Sequence, residues 1–224
     1  MRWRKGKERV LCIPDLQAPF HHKKALEFLS ELKREIKPTK VVCIGDSIDQ
    51  YALGSYVRDP DAMGGGDEVK KALEFCRKLY TLFPNAVEVM SNHNSRVYKR
   101  AKEAGIPRHF LKSYKEYLES PWDFMQSVEI DGVRYEHGEP YGGQSPHRTA
   151  VMSNMKSTVI GHHHTSSGIS YVATKDKLMF GMVVGCLIDN DTYAFEYNKM
   201  YKQCPTLTAA AVVYGEPRLF PYGR

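Results

Sequence analysis

The chain has 224 residues, 42% of them apolar and 26% charged, the balance of an ordinary soluble globular protein long enough to bury a multi-layer core. No apolar run approaches the roughly 20 residues that a membrane span needs, and the five cysteines are odd in number and irregularly spaced, which points away from a disulfide framework or a C-x-x-C zinc site and towards buried free thiols. The net charge of +6 favours polyanionic partners without establishing them.

The basic start, residues 1–7, leads into a short apolar stretch, 10–13, too short for the core of a secretory signal, so the chain reads as cytosolic. Residues 10–13 are the first expected strand, ending at Pro14-Asp15. Over 22–36, Ala25, Leu26, Leu29, Leu32 and Ile36 recur at helical spacing. Residues 40–44 read as a second strand closed by Gly45-Asp46. A looser stretch ends in Gly64-Gly65-Gly66, and Asp67 is the expected N-cap of a helix to about residue 83. A third strand, 86–90, runs into Ser91-Asn92-His93, and helices are expected at 96–104 and 108–118, separated by Gly105 and Pro107. Strands at 128–130 and 133–136 flank Asp131-Gly132, a strong hairpin signal. Further strands are expected at 158–160, 168–173, 178–184, 207–214 and 218–220. Strand, polar loop and helix recur three times in the first half, the pattern of parallel strands joined by helical crossovers. With no linker and no repeat, one α/β domain over 1–224 is the expectation.

Candidate chemistry falls at strand ends: Asp15 and Gln17, Asp46 and Asp49, Asn92 and His93, His137, and His162-His163-His164. Each alone has a plain structural reading as a turn, cap or surface residue. Together, five strand ends carry oxygen or imidazole donors suited to divalent cations, and the carboxyl ends of strands form the ligand crevice of an open α/β sheet. Residues two apart on an extended strand share a side, so His162 and His164 should face one site and His163 should face away. The two carboxylate oxygens of Asp46 can bridge two cations, and a pair about 3.5–4 Å apart suits in-line phosphoryl displacement.

In this order the blocks resemble the calcineurin-like metallophosphoesterase superfamily, whose pattern is D-x-H, G-D-x-x-D, G-N-H-D/E, a lone His and G-H-x-H. Here they read Asp15-Leu16-Gln17, Gly45-Asp46-Ser47-Ile48-Asp49, Ser91-Asn92-His93-Asn94, His137 and Gly161-His162-His163-His164. The resemblance implies a four-layer α/β/β/α sandwich of two mixed sheets flanked by helices. It implies two divalent ions, one held by Asp15, Gln17, Asp46 and His164, the other by Asp46, Asn92, His137 and His162. It implies that His93 assists the leaving group or steadies the charged transition state and that Asp49 orients His93 through a hydrogen bond. The implied reaction is phosphoester hydrolysis by a metal-activated hydroxide. Three positions depart from the pattern: Gln17 for histidine, Ser91 for glycine and Asn94 for an acid. A neutral amide oxygen at Gln17 hardens the first site, favouring Mn²⁺ or Mg²⁺, with iron, Zn²⁺ and Ni²⁺ compatible. The D-x-Q variant resembles compact phage-encoded and bacterial members, which would place a phage-encoded chain in the host cytoplasm.

Three functions remain open at this level. The leading one is a phosphodiesterase or nuclease acting on DNA, RNA or a nucleotide; behind it stand a phosphomonoesterase and a catalytically silent scaffold. Basic and aromatic residues mix over 96–102 and 108–110, compatible with a nucleic-acid backbone and its bases, although basic surface helices look alike. Arg96 is either a phosphate contact or the start of a solvated helix. Residues 141–148 read as a loop over the site or a plain connection.

Overall fold

The structure, a computed structural model, describes residues 6–55, 57, 59–191 and 204–223; the start of the chain, 1–5, lies outside them. Two mixed sheets pack face to face with helices on their outer sides. The first sheet contains β1 (Arg9–Ile13), β2 (Lys40–Cys43), β3 (Val87–Val89), β4 (Asp123–Met125), β10 (Thr208–Val213) and β11 (Glu216–Pro221), in the order β11-β10-β1-β2-β3-β4. Strands β1 to β4 run parallel, while β10 and β11 join antiparallel at one edge. The second sheet contains β5 (Val128–Ile130), β6 (Val133–Glu136), β7 (Ser157–Ile160), β8 (Gly168–Ala173) and β9 (Leu178–Val183), in the order β5-β6-β7-β9-β8. Its centre, β6-β7-β9, is parallel, and the hairpins β5-β6 and β8-β9 are antiparallel.

The strand pleat sorts side chains between layers. On β1, Val10 and Cys12 face the second sheet, among Val133, Tyr135, Val159, Phe180 and Met182. Leu11 and Ile13 face the helices α1 (Ala25–Ile36) and α2 (Gly65–Leu82), through Leu29, Leu32, Phe75 and Leu79. On the far side, α5 (Pro146–Asn154) covers the second sheet with Ala150 and Val151 against Ile160, Val183 and Met179. The layer order is α/β/β/α, as the resemblance implied. Helix α1 is held by burial of Ala25, Leu29, Leu32 and Ile36, one stripe of an amphipathic helix; truncating Leu29 to alanine would cost about 2–5 kcal/mol.

Several boundaries differ from expectation. The N-cap of α2 is Gly64, with extended backbone, and Asp67 lies inside the first turn, where its charge suits the helix dipole. The helix expected at 108–118 breaks into a 3-10 turn, Arg108–Phe110, and a short α4, Tyr114–Tyr117, because Ser113 and Glu116 cap each other and restart the chain. Helix α3 (Asn92–Glu103) begins four residues earlier than the expected residue 96, since Ser91 and Asn94 form a capping box. Strand β4 and helix α5 were not anticipated; α5 occupies the end of the 141–148 stretch. The Asp131-Gly132 hairpin is as expected, with both residues at positive φ and Ile130 paired to Val133. Cys12, Cys43, Cys76 and Cys186 are buried free thiols, whereas Cys204 is exposed. No helix among the described residues is long and apolar enough to cross a membrane.

Candidate metal centre

The parallel strands of both sheets end at one rim, and the loops leaving them form the site. From the first sheet, Asp15 follows β1, Asp46 follows β2, and Asn92 and His93 open α3 beyond β3. From the second sheet, His137 follows β6 directly, and His162 to His164 follow β7. The sheets are stitched at this rim: Asp15 Oδ2 accepts the His162 N–H at 2.8 Å, and the His137 ring meets the Ile44 carbonyl at 2.8 Å.

Close approach sets the local backbone. Asp46, Gln17 and His162 all sit at positive φ, between 47° and 65°, an uncommon region for residues with side chains. A Cβ at Gly161 would lie 2.5 Å from Asp15 Oδ1, and one at Gly45, itself at φ 97°, would lie 2.7 Å from His137 Nδ1. Glycine at these two positions lets the carboxylate and the imidazole reach the rim.

Two donor clusters share Asp46. Asp15, Asp46 and His164 offer ligand atoms within 4.8 Å of one another, and so do Asp46, His137 and His162. Asp15 Oδ2 lies 3.0 Å from His164 Nε2. Asn92 Oδ1 lies 2.8 Å from His137 Nε2 and 3.2 Å from His162 Nδ1, and Asp46 Oδ2 is 3.5 Å from His137 Nε2. Donation of Nδ1–H to the Ile44 carbonyl fixes the His137 tautomer and turns its Nε2 lone pair into the cluster. Burial would by itself raise the Asp46 carboxyl, but the facing His137 and His93 and the Ser91 hydrogen bond hold it well below the usual range. His162 is pushed down to about 4 by burial and by neighbouring His137, so its ring is neutral near pH 7. Buried oxygens Asp15 Oδ1 and Asp46 Oδ2 have no hydrogen-bond donor. Lone pairs of oxygen and nitrogen converging this closely favour positive charge among them, and the mixed set of carboxylate, amide and imidazole donors fits borderline divalent cations.

His93 stands beside the cage. Its Nδ1 lies 2.7 Å from Asp49 Oδ1 and 2.6 Å from the Asp49 carbonyl, while Nε2 meets Gln17 Nε2 at 3.1 Å and Arg96 at 3.2 Å. Arg96 also donates to Asp49 Oδ1 at 3.0 Å. Burial lowers the basicity of His93, and Asp46 and Asp49 raise it above the ordinary value on balance. The ring thus lies between the Asp49 carboxylate on one side and the Gln17 and Arg96 side chains on the other.

The structure brings Asp15, Asp46, Asn92, His137, His162 and His164 together, with Gln17, His93, Asp49 and Arg96 alongside. The expected alternation is not what orients the histidines: His162 is left-handed, not extended, and a tight turn instead of a strand aims it at Asn92.

A layer beneath the cage was missed. Glu88 on β3 is fully buried, and its Oε1 accepts from Ser47 Oγ at 2.8 Å and Asn94 Nδ2 at 3.3 Å. Ser91 Oγ donates to Asn94 Oδ1 at 2.7 Å and accepts the Asp46 N–H at 3.1 Å. One carboxyl thus ties the Asp46 loop to the start of α3. Burial pushes Glu88 up to about 7. Its signal in the sequence was an acid inside the apolar run 86–90, which alternation reads as a solvent face; a central parallel strand has none.

In overall fold the chain is similar to YfcE, a phosphoesterase from E. coli, at 15% identity and a TM-score of 0.42 over 91% of this chain and 87% of that one. It is similar to Chaetomium thermophilum Vps29 at 12% identity and a TM-score of 0.40, covering 91% and 82%. It is similar to the Pseudomonas putida nuclease MPE at 11% identity and a TM-score of 0.38, covering 95% and 85%. Each is a likeness of fold. No protein-family model matches the chain, and no curated protein matches it.

Proposed function

We propose that the chain is a metal-dependent phosphoester hydrolase of the calcineurin-like type, acting on phosphodiesters of nucleic acid or nucleotides. The observation that carries this reading is the pair of donor clusters sharing Asp46. Asp15, Asp46 and His164 would hold one divalent cation, with Gln17 as a weaker neighbour; Asp46, Asn92, His137 and His162 would hold the second. Manganese is the expected ion. Cations bound there would act as Lewis acids and lower the pKa of a bound water from 15.7 towards about 7.

The protein's own residues do the rest. In this reading Arg96 would counter the charge of the phosphoryl group, and His93, protonated on Nε2, would assist the departing oxygen or steady the charged transition state. Asp49 accepts from both and fixes their directions. The diester preference is supported by the basic surface that begins at Arg96.

The test compares bis-p-nitrophenyl phosphate with p-nitrophenyl phosphate under Mn²⁺. Faster diester turnover, abolished by Asn92→Ala and by His162→Ala, is expected. Faster monoester turnover with no cleavage of labelled DNA or RNA would overturn the substrate class, and intact hydrolysis in either variant would overturn the metal assignment.

A further inference from the structure

Between Arg96 and Lys112 the sequence carries six lysines and arginines against one acid, Glu103, a net +5 out of the whole chain's +6. This charge is laid out from the metal centre outward. Arg96 touches Asp49 and His93. One turn further along α3, Lys99 is exposed, as is Lys102 beyond it, while Ala101 is buried on the opposite face. Arg100 is turned back to the Leu53 and Gly54 carbonyls and pairs with Glu103, so the one acid is neutralised within the helix.

The following segment lies along the same helix. The Arg108 guanidinium sits 4.7 Å from the Tyr98 ring centroid, and Tyr98 Oη donates to the Lys112 carbonyl at 2.7 Å. Phe110, at the end of the 3-10 turn, is 75% exposed, which a lone core-forming aromatic would not be. A solvated face explains lysines; it does not explain a phenylalanine held out among them.

We infer that α3 and the Arg108–Phe110 turn form a docking track for single-stranded nucleic acid, with Lys99, Lys102 and Lys112 on the phosphates and Phe110 stacking an unpaired base. Cations along a backbone path combined with an aromatic platform are what a sequence-tolerant single-strand site requires. A duplex hides its base faces and gains nothing from Phe110. The inference rests on the phosphodiesterase reading and narrows its substrate.

The test uses the full-length Mn²⁺-loaded protein and a labelled 12-mer oligothymidylate whose phosphorothioate linkages keep their charge and resist cleavage, followed by fluorescence anisotropy. Phe110→Ala should weaken binding about 5- to 100-fold, the effect of losing one stacked base. The triple variant Lys99→Ala/Lys102→Ala/Lys112→Ala should flatten the salt dependence by about 2 in log–log slope. Both variants should hydrolyse bis-p-nitrophenyl phosphate at the wild-type rate, since neither alters the metal centre. Oligonucleotide binding within twofold of wild type in both variants overturns the track, as does equal competition by polyglutamate or a 12-base-pair duplex. Loss of bis-p-nitrophenyl phosphate turnover in the wild-type protein overturns the hydrolase reading instead, so the two failures are separate.

Discussion

Asp46, just past β2, and Glu88, on the neighbouring β3, are both fully buried acids, yet their environments drive them in opposite directions. Asp46 faces His137 and His93, and these partners overcome burial to hold it well below the usual carboxylate range. Glu88 faces Ser47 and Asn94, neutral donors that do not overcome burial, and it rises to about 7. Each has one oxygen without a donor, Asp46 Oδ2 and Glu88 Oε2. The difference teaches how to tell a ligand from a brace. An orphan oxygen on a carboxylate kept ionised among other lone pairs calls for a cation; an orphan oxygen on a carboxyl pushed towards its neutral form takes a proton.

The largest effect that would break the contrast is at Asp46. Asp46→Ala removes the oxygen shared by both clusters, and bis-p-nitrophenyl phosphate turnover should fall by at least ~10³-fold, the several kcal/mol that a bound cation contributes to charge stabilisation. Turnover within tenfold of wild type would remove Asp46 from the site.

Glu88 comes next, through stability. Its folded pKa of about 7 lies above the ordinary 4.5, so the folded chain holds a proton that the unfolded chain has released. The stability this gives is complete below about 4.5 and is lost as pH rises through about 7. Between those limits, urea unfolding of the wild type should lose on the order of 3 kcal/mol relative to Glu88→Gln, which does not titrate. Parallel pH profiles for the two proteins would contradict the burial argument.

The smallest effect sharpens the contrast with a third buried acid. Asp49 touches neither donor cluster; it accepts from His93 and Arg96. Asp49→Asn should lower kcat about 10- to 100-fold while leaving Mn²⁺ affinity by calorimetry nearly unchanged, because it orients a neighbour of the cage and not the cage itself. A matching loss of metal affinity would make Asp49 part of the cage.

Much of this was legible in the sequence because strands announce themselves by apolar runs and their ends by Asp, Asn and His. Strands alternating with amphipathic stretches such as 25–36 gave one α/β domain, the resemblance of the five blocks supplied the α/β/β/α layering, and the donors converge because parallel strands end at one rim. What stayed hidden was set by local turns and by tertiary contact. Asp46, Gln17 and His162 adopt left-handed backbone that no periodicity encodes. Helix α5 has a weak apolar stripe and is stabilised by the sheet it covers, so nothing in its own spacing marked it. Glu88 was invisible as a brace because Ser47, 41 residues earlier, reaches it only in the folded chain, and Asn94 meets it only because α3 turns back on β3. Gln17 was expected among the ligands on the strength of its position in the D-x-Q block, and the fold sets its side chain 3.1 Å from His93 Nε2.

Whether two cations meet at Asp46 is read from anomalous diffraction by crystals grown with Mn²⁺. Two peaks about 3.5–4 Å apart are predicted, one against Asp15 and His164, the other against Asn92, His137 and His162, with Asp46 reaching both. A lone peak away from Asp46, or none at saturating Mn²⁺, would contradict this prediction.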